Sequence, residues 1–107
     1  MNTDEVTQTL DIIRQKISSI TPKDSQAILF GSRARGDAHA DSDWDILILL
    51  DKERVMLEDI DNYSYPLREL GWDLGIDINT VLYTKENWKA NSFTPFYKNV
   101  TNEGILL

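Results

Sequence analysis

Seven consecutive residues, Trp44-Asp45-Ile46-Leu47-Ile48-Leu49-Leu50, are apolar at every position but one. A strand turns alternate side chains to opposite faces, so an unbroken apolar run must be covered on both. Trp44–Leu50 is therefore expected to be a buried central strand. Asp45 is the exception, and Asp43 stands two residues before it. Carboxylates at the head of a core strand are costly unless something compensates their charge.

The flanking pattern predicts what surrounds that strand. Residues 3–19 read as an amphipathic helix, with Val6, Leu10, Ile13, Ile17 and Ile20 on one stripe. Thr3 is its expected N-cap, with Asp4 and Glu5 favourable in the first turn. Thr21-Pro22 stops it. Gln26–Phe30 is a short apolar strand running into Gly31. Ser32 to Gly36 turns into a short helix start, and Ala38 to Ser42 is polar loop. Asp51 is the expected cap of a helix over roughly residues 52–70, bearing Val55, Leu57, Ile60, Leu67 and Leu70. Pro66 should break or kink it, and Gly71 and Gly75 should bracket a turn.

Ile76 to Tyr83 reads as a strand. Thr84 caps a helix containing Trp88, and Thr94-Pro95 opens a last short helix ending near Gly104. The apolar tail Ile105-Leu106-Leu107 is expected to dock on the domain or be buried by a partner. The order α-β-α-β-α-β-α-α predicts one small α/β domain over residues 1–107, with a mixed sheet and flanking helices.

Composition narrows the chemistry. The 107 residues carry a formal net charge of −7. That argues against stable nucleic-acid binding, which relies on Lys and Arg neutralising phosphates, and suits divalent cations or a basic partner. Cysteine is absent and His39 is the only histidine. Thiolate chemistry is excluded and a Ser-His triad disfavoured. No apolar run approaches the ~20 residues of a membrane span. The first residues lack a signal-peptide pattern, so a cytoplasmic protein is expected.

Asp43 and Asp45 share a strand face, with Trp44 pointing away. Mg²⁺ takes one or two protein carboxylates and fills its other sites with water and phosphate oxygens, so the pair is a natural metal platform. Gly31 lets backbone approach a phosphate without a Cβ in the way. Ser32 offers a hydroxyl and an N–H at a helix start, where anions bind. Arg33 and Arg35 add positive charge. Asp77 interrupts the apolar strand Ile76–Leu82 and is the expected third carboxylate. Beside the pair it would hold a second ion and take the proton from an attacking hydroxyl. Two ions about 3.5–4 Å apart would serve nucleophile and leaving group. This is the equipment for moving a nucleoside monophosphate from a triphosphate. Asp77 also has a structural reading, as the residue capping a turn after Gly75.

Gly31-Ser32, ten intervening residues and Asp43-Trp44-Asp45 resemble the signature of the DNA polymerase β-like nucleotidyltransferase superfamily. The run Gly-Ser-Arg-Ala-Arg-Gly-Asp-Ala…Ser-Asp-x-Asp, the chain's small size and the ending Pro95–Val100 through Glu103-Gly104 are similar to its minimal nucleotidyltransferase branch. The resemblance covers nearly the whole chain. Trp44 is bulkier than the aliphatic residue usual there. The resemblance implies that Ser32 contacts the triphosphate of ATP, that Asp43 and Asp45 hold metal and that Asp77 is the third acid. It implies an antitoxin that transfers AMP to a tyrosine of a cognate HEPN-domain ribonuclease toxin. The alternatives are a catalytically silent antitoxin acting by binding alone, and transfer to a small molecule such as an aminoglycoside.

Other charged and aromatic residues have plainer readings. Arg35 is as well placed to pair with Asp37 or Asp41 as to touch nucleotide. His39 and Asp41 are expected at the surface, and Trp72 and Trp88 in the core or on a partner surface. Glu58-Asp59-Ile60-Asp61 reads as a solvated helix face.

Overall fold

Trp44–Leu50 is central, as its apolar pattern demands. The computed structural model describes residues 2–107. In chain order the elements are α1 (Thr3–Ile20), β1 (Gln26–Phe30), α2 (Ser32–Arg35) and β2 (Trp44–Leu50). Then come α3 (Leu57–Asp59), a π-helical segment (Ile60–Ser64), α4 (Tyr65–Leu74) and β3 (Ile78–Thr84). Last are α5 (Lys85–Ala90), α6 (Pro95–Glu103) and β4 (Ile105–Leu106). The four strands form one mixed sheet in the order β3-β2-β1-β4. β2 runs antiparallel to β1 and parallel to β3.

Alternation along β2 divides the core in two. Trp44, Ile46, Ile48 and Leu50 pack with Ile13 and Ile17 of α1 and Leu67 of α4. Leu47 and Leu49 pack on the opposite face with Trp88 of α5 and Val100 of α6. Phe30, Tyr83, Phe96 and Tyr97 extend this second layer. Asp45 has the parity of Leu47 and Leu49, so it points to the α5–α6 side of the sheet.

Several local expectations are corrected. The cap of α1 is Asn2, whose Oδ1 accepts from the Glu5 N–H at 2.9 Å, and Thr3 is already helical. Asp51 caps nothing. The second long helix starts at Leu57, and its first turn is held by Asp59, which accepts from the Met56 N–H at 2.7 Å. Asp59 is not on a solvated face: it is 2% exposed and bound by the Lys52 ammonium at 2.9 Å. At Pro66 the helix is disturbed, as expected, but not ended. The turn before it widens into π form, with the Tyr65 N–H bonded to the Ile60 carbonyl. The widening accommodates a residue that lacks an N–H and whose ring would clash with a normal turn. Gly71 lies inside α4, buried against Ile76 and Ile78, and Gly75 alone makes the turn.

The apolar tail docks on the domain itself. Ile105 and Leu106 pair with Leu29 and Ile28 as a fourth strand, and the Leu107 N–H reaches the Ala27 carbonyl at 2.8 Å. No helix among the described residues is long and apolar enough to cross a membrane.

Candidate active site

Antiparallel pairing brings the end of β1 beside the start of β2, with Phe30 opposite Asp45. Gly31 follows at φ 76°, ψ −159°, a conformation open essentially to glycine alone. A Cβ on Gly31 would overlap Asp45 Oδ2. The Gly-Ser turn and the carboxylates thus border the same small space. Ser32 opens α2, and no side chain caps that turn. Its leading N–H groups are left for another acceptor.

Asp43 and Asp45 converge as their spacing predicts. One amide, that of Asn79, donates to both: to Asp43 Oδ2 at 2.9 Å and to Asp45 Oδ1 at 3.5 Å. Asn79 is there because β3 runs parallel to β2 with Asp45 opposite Asn79. The same register also sets the place of Asp77. β3 begins at Ile78, two residues later than the composition implies. Asp77 lies just outside it, exposed, its carbonyl accepting from the Trp44 N–H at 2.8 Å. Among the described residues no three His, Cys, Asp or Glu side chains group as a metal site. Asn79 escaped the sequence reading because it is uncharged. Its only signal is its position two residues after Asp77, on the same strand face.

Burial pushes the Asp45 carboxyl above the usual carboxylate range. The Asn79 amide opposes this, the Asp43 charge adds to it, and the Arg35 charge opposes it. The ionised pair is short of positive charge, and the amide meets only part of the need. Two like charges on one donor group suit a hard cation with oxygen ligands. The pair offers oxygen donors of the kind a divalent ion takes; among the described residues no third acid groups with them.

The arginines have protein partners. Arg33 donates to the carbonyls of Ala40 and Ser42 at 3.3 and 3.1 Å and lies 4.7 Å over the Trp44 ring. It fastens the loop that delivers Asp43. The bulk of Trp44 is thereby explained: its ring is buried below the sheet and roofed by this guanidinium. Arg35 pairs with Asp37 at 3.1 Å and with Glu103 of α6 at 3.2 Å. Of its two expected carboxylate partners, Asp37 is the one it meets. His39 and Asp41 are exposed. Trp88 is core, whereas Trp72 is 60% exposed beside Tyr65.

A Gly-Ser turn set against a carboxylate pair on a small mixed sheet is the arrangement of a nucleotidyl-transferring domain. The nucleotidyltransferase domain family model matches residues 10–107, and the chain belongs to that family. The fold is similar to that of a toxin–antitoxin crystal structure with AMP-PNP. The TM-score is 0.62 at 21% identity, over 92% of this chain and 69% of the other. It is also similar to a crystal structure of a mutant MntA-HpeT toxin–antitoxin. There the TM-score is 0.52 at 21% identity, over 100% of this chain and 72% of the other. Among curated proteins nothing matches.

Proposed function

We propose that this domain is a cytoplasmic antitoxin that transfers AMP from ATP to a tyrosine hydroxyl of a cognate HEPN-domain toxin. The observation that carries the reading is the shared space between the Gly31-Ser32 turn and Asp45. A triphosphate lying on the turn has its phosphates within reach of the carboxylate pair. Likeness to two toxin–antitoxin structures, one with AMP-PNP, supports the kind of partner and nucleotide.

Asp43 and Asp45 would hold Mg²⁺, which when bound neutralises the triphosphate and orients it. Gly31 keeps the wall beside Asp45 free of side-chain atoms, so a phosphate can approach the backbone. The Ser32 hydroxyl and the N–H groups of its turn donate to phosphate oxygens. Arg35, paired with Asp37 and Glu103, adds positive charge that opposes the rise of the Asp45 carboxyl. Arg33 keeps the loop before Asp43 in register. The acceptor oxygen gives up its proton to solvent and forms the new bond to the α-phosphorus while pyrophosphate leaves in line.

One observation favours a second reading. Asn79 occupies the position beside the pair where a carboxylate was expected, which suits an antitoxin that protects by binding alone. Intact-mass analysis of the co-expressed toxin separates the two. Transfer adds ~329 Da per AMP, and Asp43→Asn with Asp45→Asn abolishes it. An unmodified toxin that remains fully neutralised by this double variant refutes the enzymatic reading.

A further inference from the structure

The contact between Asn79 and both carboxylates bears on how many ions this site holds. Two divalent ions about 4 Å apart repel each other and stay together only among anionic oxygens that surround and bridge them. Asp43 and Asp45 supply two charges. The register between β2 and β3 gives the adjoining place to Asn79, which is neutral. Asp77 lies outside the strand, and no third acid joins the pair among the described residues. We propose that Asn79 restricts this domain to a single divalent cation in its nucleotide complex.

The amide has a role in each state. Without cation its N–H bonds both carboxylates and relieves their repulsion. Turned over about its terminal torsion, it would offer only a neutral Oδ1 to an ion held by Asp43 and Asp45. A second ion would find one neutral oxygen where it needs an anionic one. The inference rests on Asp43 and Asp45 being the cation ligands, as in the proposed function.

Native mass spectrometry of the full chain with Mn²⁺ and α,β-methylene-ATP, whose α–β bridge resists cleavage, tests it without any turnover. The wild-type chain with one bound nucleotide carries one Mn²⁺, and Asn79→Asp carries two. Two Mn²⁺ on the wild type, or one on Asn79→Asp, overturns the inference. Asp43→Asn with Asp45→Asn separates the two levels of the argument. Loss of Mn²⁺ in that variant leaves the carboxylate reading standing whatever the wild-type count. Retention of the wild-type count removes that reading, and the inference with it. If Asn79→Asp fails to fold, as judged by circular dichroism, the wild-type count alone decides.

Discussion

Gly31→Ala is the most informative single change, because one methyl group acts on both the fold and the site. The backbone there stands at φ 76°, ψ −159°. Holding a residue with a side chain in that region costs about 1–3 kcal/mol. The new Cβ also overlaps Asp45 Oδ2, so Asp45 must swing away from Asn79. Their bond is at the long limit, 3.5 Å, and its loss adds under about 1 kcal/mol. The expected destabilisation is about 1–4 kcal/mol, which lowers the melting temperature by roughly 4–16 °C in a domain of this size. Gly75→Ala is the control. Gly75 is left-handed at φ 71°, and beyond its chain neighbours no described atom lies within 4 Å of its would-be Cβ. It should lose about 1 kcal/mol from backbone strain alone and keep wild-type affinity for Mn²⁺ and nucleotide. Calorimetric melting and Mn²⁺–nucleotide titration of both variants provide the comparison. If Gly31→Ala binds Mn²⁺–nucleotide as the wild type does and melts no lower than Gly75→Ala, the overlap with Asp45 has no consequence and the shared-space argument is wrong.

The remaining predictions concern charge. The Asp45 carboxyl is raised by burial and by Asp43, so its contribution to cation-free stability is present below the ordinary carboxylate pKa and lost as pH rises through the raised value. Asp45→Asn should flatten that fall in a pH series of urea melts, and an unchanged slope would dismiss the effect. For Asp59, burial pushes the carboxyl up, but the Met56 N–H and the Lys52 ammonium outweigh it and hold the group below the ordinary range. Its stabilisation is therefore present above the ordinary pKa and lost as pH falls through the lowered one. Asp59→Ala, which removes a cap and a buried partner of Lys52, should lose about 2–3 kcal/mol by denaturant unfolding at neutral pH. A loss under about 0.5 kcal/mol would show that the first turn needs no cap. Arg33→Met keeps apolar contact with Trp44 but gives up both carbonyl bonds of the 40–42 loop. It should weaken Mn²⁺ binding several-fold in calorimetric titration, and wild-type affinity would reduce Arg33 to packing.

Local signals made much of this molecule legible. The unbroken apolar run of β2, the stripe of α1, the threonine caps of α5 and α6 and the Gly31-Ser32 turn depend on neighbours a few residues apart, so the chain states them directly. Asp43 and Asp45 converge for the same reason, since alternation within one strand fixes their common face. What escaped the sequence depends on pairing between distant segments. The cap at Asp59 needed Lys52 folded over it, and the π turn before Pro66 needed a helix held by packing on both sides of the proline. The tail became a strand only because β1 had a free edge for it. Most consequentially, the neighbour of the carboxylate pair is set by the register of β3 on β2. A strand presents a candidate every second residue, and hydrophobic pattern alone gives Asp77 and Asn79 the same face. The parallel ladder aligns Asp45 with Asn79, and the Trp44 N–H donates to the Asp77 carbonyl just before the strand begins, so tertiary pairing and not the pattern puts the amide on the pair.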